Sequence, residues 1–356
     1  MSSVDSTLAL VRPDILALAA YSSARKEAKG GRIWLDANEN PETPAAHQQL
    51  LNRYPEPQPA DLLAKLSTLY GVAPAQALVT RGSDEGIDLL LRTFCRAGQD
   101  AILITPPTYG MYVVAAGIQG AAVVKVPLLA EKNFSLDADA VIATALANAA
   151  IKLVFLCTPN NPTGNLLARA DVLRVTRALV GRAVVVADEA YVDFSGQPSL
   201  ATELSTNPNL VILRTLSKAF GLAGARVGTT IADPAIIAVL QKVIAPYPIP
   251  APVVQAAVSA LSDEGLAAAR ASVALLISER QRLAAELPKL RCVKRVWPSD
   301  TNYLLLEVTD AAVAMNAGRT AGVIWRDRQK DVTSTIRITV GSPAENTETL
   351  AVLARL

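Results

Sequence analysis

The sequence predicts an α/β fold: a large unit on a mostly parallel seven-stranded sheet flanked by helices, followed by a smaller α+β unit. Three observations carry this. Seven short runs rich in β-branched residues fall between about residues 75 and 231. Most of them are separated by alanine- and leucine-rich stretches of helix length. Beyond residue 233 the texture changes to a proline-broken helix, a long helical run and three isolated strand-like runs. Strands that are apolar throughout, alternating with helices, fit crossover units that bury both faces of a parallel sheet.

The elements follow in order. The opening stretch MSSVDSTLALVRPDILALAA has no basic start, and Arg12, Pro13 and Asp14 cut its apolar run. It therefore reads neither as a secretory leader nor as a membrane span. No other run approaches the ~20 apolar residues that a spanning helix needs. The strand runs are ALVT (77–80), AILI (101–104), AVVKV (122–126), KLVFL (152–156), AVVVA (183–187), LVILR (210–214) and VGTTI (227–231), with helices expected at 84–97 and 168–180. The large unit is expected over 30–245, and the smaller over 1–29 together with 246–356. In the latter, a helical stretch at 252–289 precedes strands near 291–296, 303–308 and 335–340 and a terminal helix.

With 51% of 356 residues hydrophobic, the chain can bury a large core. A net charge of +2 with no basic cluster gives no footprint for nucleic acid. Cys95, Cys157 and Cys292 are far apart and in apolar surroundings, as expected of buried free thiols in a reducing, cytoplasmic setting. His47 is the only histidine, so neither imidazole catalysis nor a histidine metal site is expected, and no metal is. No G-x-G-x-x-G follows a predicted strand, which argues against a nicotinamide cofactor. Residues 1–30 are too short for a DNA-binding module, which argues against a transcription regulator.

In open α/β sheets, ligands bind outside the carboxyl ends of the strands. There the sequence places RGSDEG, TPPTYGMY, CTPNNPTG, DEAY and TLSKAF. Ser83 or Asp84 caps a helix whose free N–H groups favour an anion, although S-D-E is also an ordinary helix start. Tyr109, beside Gly110, suits either a flat ligand ring or the core. Asp188 ends a wholly apolar strand. An unpaired charge there costs several kcal/mol, so it needs a partner, either a ligand cation or a structural arginine.

Lys218 stands in RTLSKAFGLAGARVG without a nearby acid in sequence. A free lysine with pKa about 10.4 is unprotonated in roughly one molecule in 2,500 near pH 7. Condensation with an aldehyde as a Schiff base removes that handicap. Pyridoxal phosphate offers the aldehyde, a ring to stack, a phosphate to cap and a pyridine nitrogen for an aspartate. Ser217, and Arg226 eight residues beyond Lys218, are further phosphate donors.

SKAFGLAGARVG, PNNPTG and DEAY resemble the marks of the fold-type-I pyridoxal-phosphate-dependent aminotransferases. RYPEPQP (53–59), PPTYGMY (106–112), KVIAPYPIP (242–250), TNYLLL (301–306) and RITVG (337–341) resemble the histidinol-phosphate aminotransferase family within them, and the likeness runs from about residue 12 to the end. The resemblance implies that Lys218 binds the cofactor covalently and shuttles the proton, and that Asp188 pairs with the pyridine nitrogen. It implies that Asn161 and Tyr191 bond the ring oxygen while Tyr109 stacks on the ring. Ser83, Asp84, Ser217 and Arg226 would take the phosphate, together with Tyr54 from the neighbouring subunit of a homodimer with shared sites. Arg337 would clamp a substrate carboxylate or phosphate, with Asn161, Arg326 and Tyr21 in support. The implied reaction moves nitrogen from glutamate to imidazole-acetol phosphate, giving 2-oxoglutarate and histidinol phosphate. An aromatic amino-acid aminotransferase or a threonine-phosphate decarboxylase would share this scaffold. One departure is NENPETP, where many relatives carry an aromatic–glycine pair after N-E-N-P; it bears on the shape of the loop at 39–45.

Overall fold

A computed structural model describes residues 3–19, 33, 35–43 and 51–356; Tyr21 and His47 lie outside the described residues. The large unit is a seven-stranded sheet in the order β1-β7-β6-β5-β4-β2-β3. Its strands are β1 (Ala77–Thr80), β2 (Ala101–Ile104), β3 (Ala122–Lys125), β4 (Ile151–Cys157), β5 (Val184–Asp188), β6 (Leu210–Thr215) and β7 (Gly228–Ile231). β7 alone runs opposite to the others, antiparallel to both β1 and β6.

Alternation along the central strands builds two cores, one on each face. Val154, Leu156, Val185 and Ala187 join one with the Ala60–Tyr70, Ala138–Ala147 and Arg169–Ala178 helices. Leu153, Phe155, Val184 and Val186 join the other with the Ser83–Phe94, Met111–Gln119 and Pro234–Val243 helices. Each such side chain contributes on the order of 1.5–3 kcal/mol through burial. This two-sided burial is why the strand runs lack polar alternation.

The smaller unit has a four-stranded antiparallel sheet, β10-β11-β9-β8. Its strands are β8 (Val293–Val296), β9 (Tyr303–Val308), β10 (Arg326–Asp327) and β11 (Thr335–Thr339). β10 was not expected: it is two exposed polar residues, held by pairing Arg326 against Arg337. The expected continuous helix at 252–289 divides into Ala251–Ala260 and Asp263–Glu286. The Ser262 side chain accepts from Gly265 N–H and starts the second helix, and a Cβ at Gly265 would lie 2.4 Å from the Ala260 carbonyl oxygen.

The described N-terminal residues depart from the expectation that 1–29 join the smaller unit. Val11 is buried in the large unit's core, with Leu8, Leu10 and Ile15 packed beside it. Arg12 fixes the segment there, its N–H donating to Thr93 O (3.0 Å) and its Nη1 to Arg92 O (2.9 Å). Those carbonyls end the Ser83–Phe94 helix and would otherwise lack partners.

Gly228 opens β7 against the turn that starts the Ser83–Phe94 helix. A Cβ there would lie 2.3 Å from Gly82 C and 2.6 Å from Ser83 N, both backbone atoms. Gly228→Ala is expected to destabilise the chain by ~1–3 kcal/mol, measured by urea unfolding, because rigid atoms must move. An unchanged midpoint would show that the turn is free to shift.

Candidate active site

The carboxyl ends of the co-directional strands open onto a cleft of about 610 Å³. Its lining includes Ser83, Asp84, Tyr109, Asn161, Asp188, Tyr191, Ser217, Lys218, Arg226, Arg326 and Arg337. Eleven of the thirteen residues singled out from the sequence therefore meet in one place. Tyr21 is outside the described residues, and Tyr54 stands elsewhere.

One end of the cleft is built for an anion. Gly82 adopts φ +78° before the helix, and a Cβ there would lie 2.8 Å from Arg226 Nη2. The glycine thus lets the guanidinium lie over the turn. Ser83 and Asp84 bring the N-terminus of a twelve-residue helix to the cleft wall, where its N–H groups and dipole favour negative charge. Arg226 reaches Asp84 Oδ2 (3.1 Å) and Ser217 Oγ (3.4 Å). Tyr109 donates its hydroxyl to Asp84 Oδ1 (2.9 Å). Burial first, and the Asp84 charge second, push the Tyr109 phenol up, so it stays protonated.

Asp188 lies at the opposite side of the electrostatic problem. It ends β5, the middle strand, and is 2% exposed. Its carboxylate accepts from Tyr112 Oη (2.7 Å) and Ala190 N–H (3.2 Å), and pairs with no cation among the described residues. Desolvation raises its pKa to about 6, outweighing those two hydrogen bonds. The structural arginine that the sequence left open exists but serves other acids: Arg214 lies 2.6 Å from Asp193 and 3.7 Å from Glu189.

Lys218 enters the cleft from the loop after β6. Desolvation, followed by the Arg337 charge, lowers its pKa, while Asp84 and Asp188 oppose the shift and Arg226 adds to it. A larger share of free amine makes it a better nucleophile. Its Nζ lies 5.6 Å from the centroid of the Tyr191 ring.

The far wall joins the two units. Asn161 Nδ2 approaches Tyr191 Oη (3.4 Å), and Arg337 donates Nη1–H to Asn161 Oδ1. The Arg337 guanidinium lies over the Tyr303 ring at 4.9 Å, and Tyr303 packs edge-on against Tyr191 at 5.2 Å. Arg326 is directly opposite Arg337 in the ladder, and Arg328 also faces the cleft.

Tyr112, Tyr303 and Arg328 were not singled out from the sequence. Tyr112 and Tyr303 lie within PPTYGMY and TNYLLL, but nothing local shows which way a buried tyrosine points. Tyr54 is half exposed and stacks on Tyr247 at 4.6 Å, in a groove with Arg53, Pro55 and Pro250 rather than in the cleft. The described part of the 39–45 loop is tied to it: Glu39 accepts from Tyr54 N–H (2.6 Å) and from Arg53 Nη1 (2.8 Å).

A family model described as aminotransferase class I and II matches residues 23–353. The histidinol-phosphate aminotransferase of Stenotrophomonas maltophilia is 50% identical over 358 aligned residues, spanning 99% of this chain and 97% of that protein. That of Xylella fastidiosa (strain 9a5c) is 46% identical, spanning 97% of this chain and 96% of that protein. The solved structure of the Sinorhizobium meliloti histidinol-phosphate aminotransferase in complex with pyridoxal-5'-phosphate matches with TM-score 0.77 and 25% identity, covering 86% of this chain and 83% of that one. The fold is that of the fold-type-I pyridoxal-phosphate-dependent enzymes. The chain belongs to the aminotransferase class I and II family.

The raised pKa of Asp188 has a thermodynamic consequence for the cofactor-free protein. The folded state binds this proton more tightly than the unfolded chain, whose carboxyl titrates near 3.8. Its contribution is thus present below that value and lost as pH rises towards about 6. Asp188→Asn is expected to be the more stable protein near neutral pH by ~1–3 kcal/mol, with the gap closing by about pH 4. Denaturant unfolding across this range checks both the sign and the window.

Proposed function

We propose that this chain is a pyridoxal-phosphate-dependent aminotransferase that exchanges nitrogen between histidinol phosphate and 2-oxoglutarate, a step of histidine biosynthesis. What carries the proposal is a single cleft that joins a lysine of lowered pKa, a buried carboxylate with no cation on it among the described residues, and a helix N-terminus backed by arginine. The residues fit the cofactor by their chemistry. The uncompensated Asp188 calls for a positive partner, and the Arg226–Ser217–helix end calls for an anion.

When bound, pyridoxal phosphate supplies an aldehyde for nitrogen exchange and a ring that accepts electrons from the substrate. Lys218 would hold it covalently and, as a free amine during turnover, move the proton at the substrate's α-carbon. Asp188 would keep the ring nitrogen protonated. Asn161 and Tyr191 would bond the ring oxygen, Tyr109 would stack on the ring, and Ser83, Asp84, Ser217 and Arg226 would receive the phosphate. Arg337 would clamp the carboxylate of glutamate or the phosphate of histidinol phosphate, with Arg326, Asn161 and Tyr21 in support; a guanidinium fork suits both anions. The place of Tyr54 outside its own cleft supports a homodimer in which it reaches the neighbouring subunit's cofactor phosphate. Among the described residues no helix is long and apolar enough to cross a membrane. A cytoplasmic location is part of the proposal.

Purified protein incubated with the cofactor is expected to convert histidinol phosphate and 2-oxoglutarate in preference to phenylalanine or tyrosine as donor, and to release no carbon dioxide from threonine phosphate. Preference for an aromatic donor, or decarboxylation, would sink this substrate assignment. Lys218→Ala is expected to lose the borohydride-reducible adduct. Arg337→Ala is expected to raise KM for the anionic substrates about 10- to 100-fold, the equivalent of losing ~1.5–3 kcal/mol in a charge-assisted contact.

A further inference from the structure

Tyr112 stands behind the cleft rather than on its wall. It lies in the first turn of the Met111–Gln119 helix and is fully buried. Its ring stacks on Phe155 of β4 (4.7 Å, 19°) and meets Tyr109 edge-on (5.6 Å, 85°). The hydroxyl lies 2.7 Å from Asp188 Oδ2. Alternation explains the meeting: Asp188 continues the Val184–Val186 face of β5, the face that this helix covers.

We propose that Tyr112 is the positioning residue for Asp188: its hydroxyl occupies one carboxylate oxygen and fixes the group's rotation, leaving the remaining lone pairs aimed into the cleft. This rests on the assignment of Asp188 to the cofactor's ring nitrogen. A carboxylate turns readily about its last torsion, because that well is broad. The Ala190 N–H on Oδ1 and the Tyr112 hydroxyl on Oδ2 together restrict it. A phenol suits the task where an arginine would not. It donates a hydrogen bond to the ionised form without neutralising it, so the full negative charge remains for a cationic partner.

The charged and titratable groups around Asp188 leave few alternatives. Asp84 and Glu189 are like charges, Cys157 and Tyr191 are neutral acids raised by burial, and Tyr109 is bonded to Asp84. Lys218 is the nearby cation and is the residue committed to the cofactor. Among the described residues, Tyr112 is the one side chain that hydrogen-bonds the Asp188 carboxylate.

Tyr112→Phe removes a single oxygen and keeps the ring stack. In the holoenzyme, kcat is expected to fall at least about tenfold while KM for both substrates stays within about twofold, and the acidic limb of the kcat/KM profile should move up by on the order of one pH unit. In the cofactor-free protein, the Asp188 carboxyl resonance, assigned by its loss in Asp188→Asn, should titrate at higher pH than in the parent. An unmoved Asp188 titration overturns the proposal even if turnover falls, since lost packing alone would slow the enzyme. A raised titration in a protein that transfers no nitrogen would leave the positioning role standing and remove the functional assignment instead. Should Tyr112→Phe fail to fold, 3-fluorotyrosine at position 112 keeps the shape and strengthens the donor. It should lower the Asp188 titration, and no shift would overturn the proposal.

Discussion

A carboxylate buried, among the described residues, without a counter-charge is the constraint around which this molecule is arranged. Two adjacent acids stand at the end of β5, and they are treated in opposite ways. Glu189 is satisfied on every side: Ser199 Oγ at 2.5 Å, Leu200 N–H at 2.7 Å and the Arg214 guanidinium beyond. Arg214 is itself buried beneath the Tyr70 ring at 4.6 Å. That acid belongs to the scaffold. Asp188, one residue earlier and on the other face of the chain, receives two hydrogen bonds and no cation among the described residues. Such a group is costly unless a ligand completes it. The same desolvation that penalises the lone charge strengthens its attraction for a positive group placed beside it.

The sheet's one reversed strand explains how the other reactive groups reach that charge. Were β7 parallel to β6, the chain would cross the sheet before returning, and Lys218 and Arg226 would part. Instead β7 pairs antiparallel with β6, from Thr215 opposite Gly228 onwards. The connecting loop therefore stays at the carboxyl end of the sheet. Lys218 lies at its start, near Asp188. Arg226 lies at its end, in a left-handed conformation (φ +55°), beside the Ser83–Phe94 helix because β7 also borders β1. The eight-residue spacing in SKAFGLAGAR is thus the width of this hairpin connection, measured from the carboxylate to the anion cradle.

Much of this was legible in the sequence, for a physical reason. Strands buried on both faces read as nearly continuous apolar runs, so the seven runs announce both the sheet and the ends where polar residues become meaningful. Asp188 stood out because it follows VVVA, and Lys218 because small residues surround it. What stayed hidden depends on tertiary packing. β10 is polar and two residues long, and exists through its pairing with β11. The N-terminal leucines announce burial without naming the surface they cover. Tyr112 reads as one apolar position in a helix, and its tie to Asp188 depends on register between distant elements. Tyr54 is conspicuous in RYPEP, yet its ring stacks on Tyr247 in a groove apart from the cleft.

The PNNPTG segment is where the two units become one site. Asn160 presents its carbonyl to Tyr303 Oη (2.6 Å), and Gly164 O accepts from Asp300 N–H (2.8 Å). Gly164 takes φ +84° with Ser299 so close that a Cβ would lie 2.7 Å from its Oγ. Between these ties sits Asn161, bonded to Arg337 on one side and Tyr191 on the other. An anion drawn to Arg337 competes for the guanidinium that Asn161 now holds. It also adds negative charge near Lys218, whose pKa Arg337 helps to lower. An anion bound at Arg337 would therefore be felt at the lysine electrostatically, through one arginine on the smaller unit, without movement of the sheet that carries the lysine. The ties at Asn160 and Gly164 keep that arginine in register with the cleft, so an anion held by the smaller unit would act on a lysine carried by the larger.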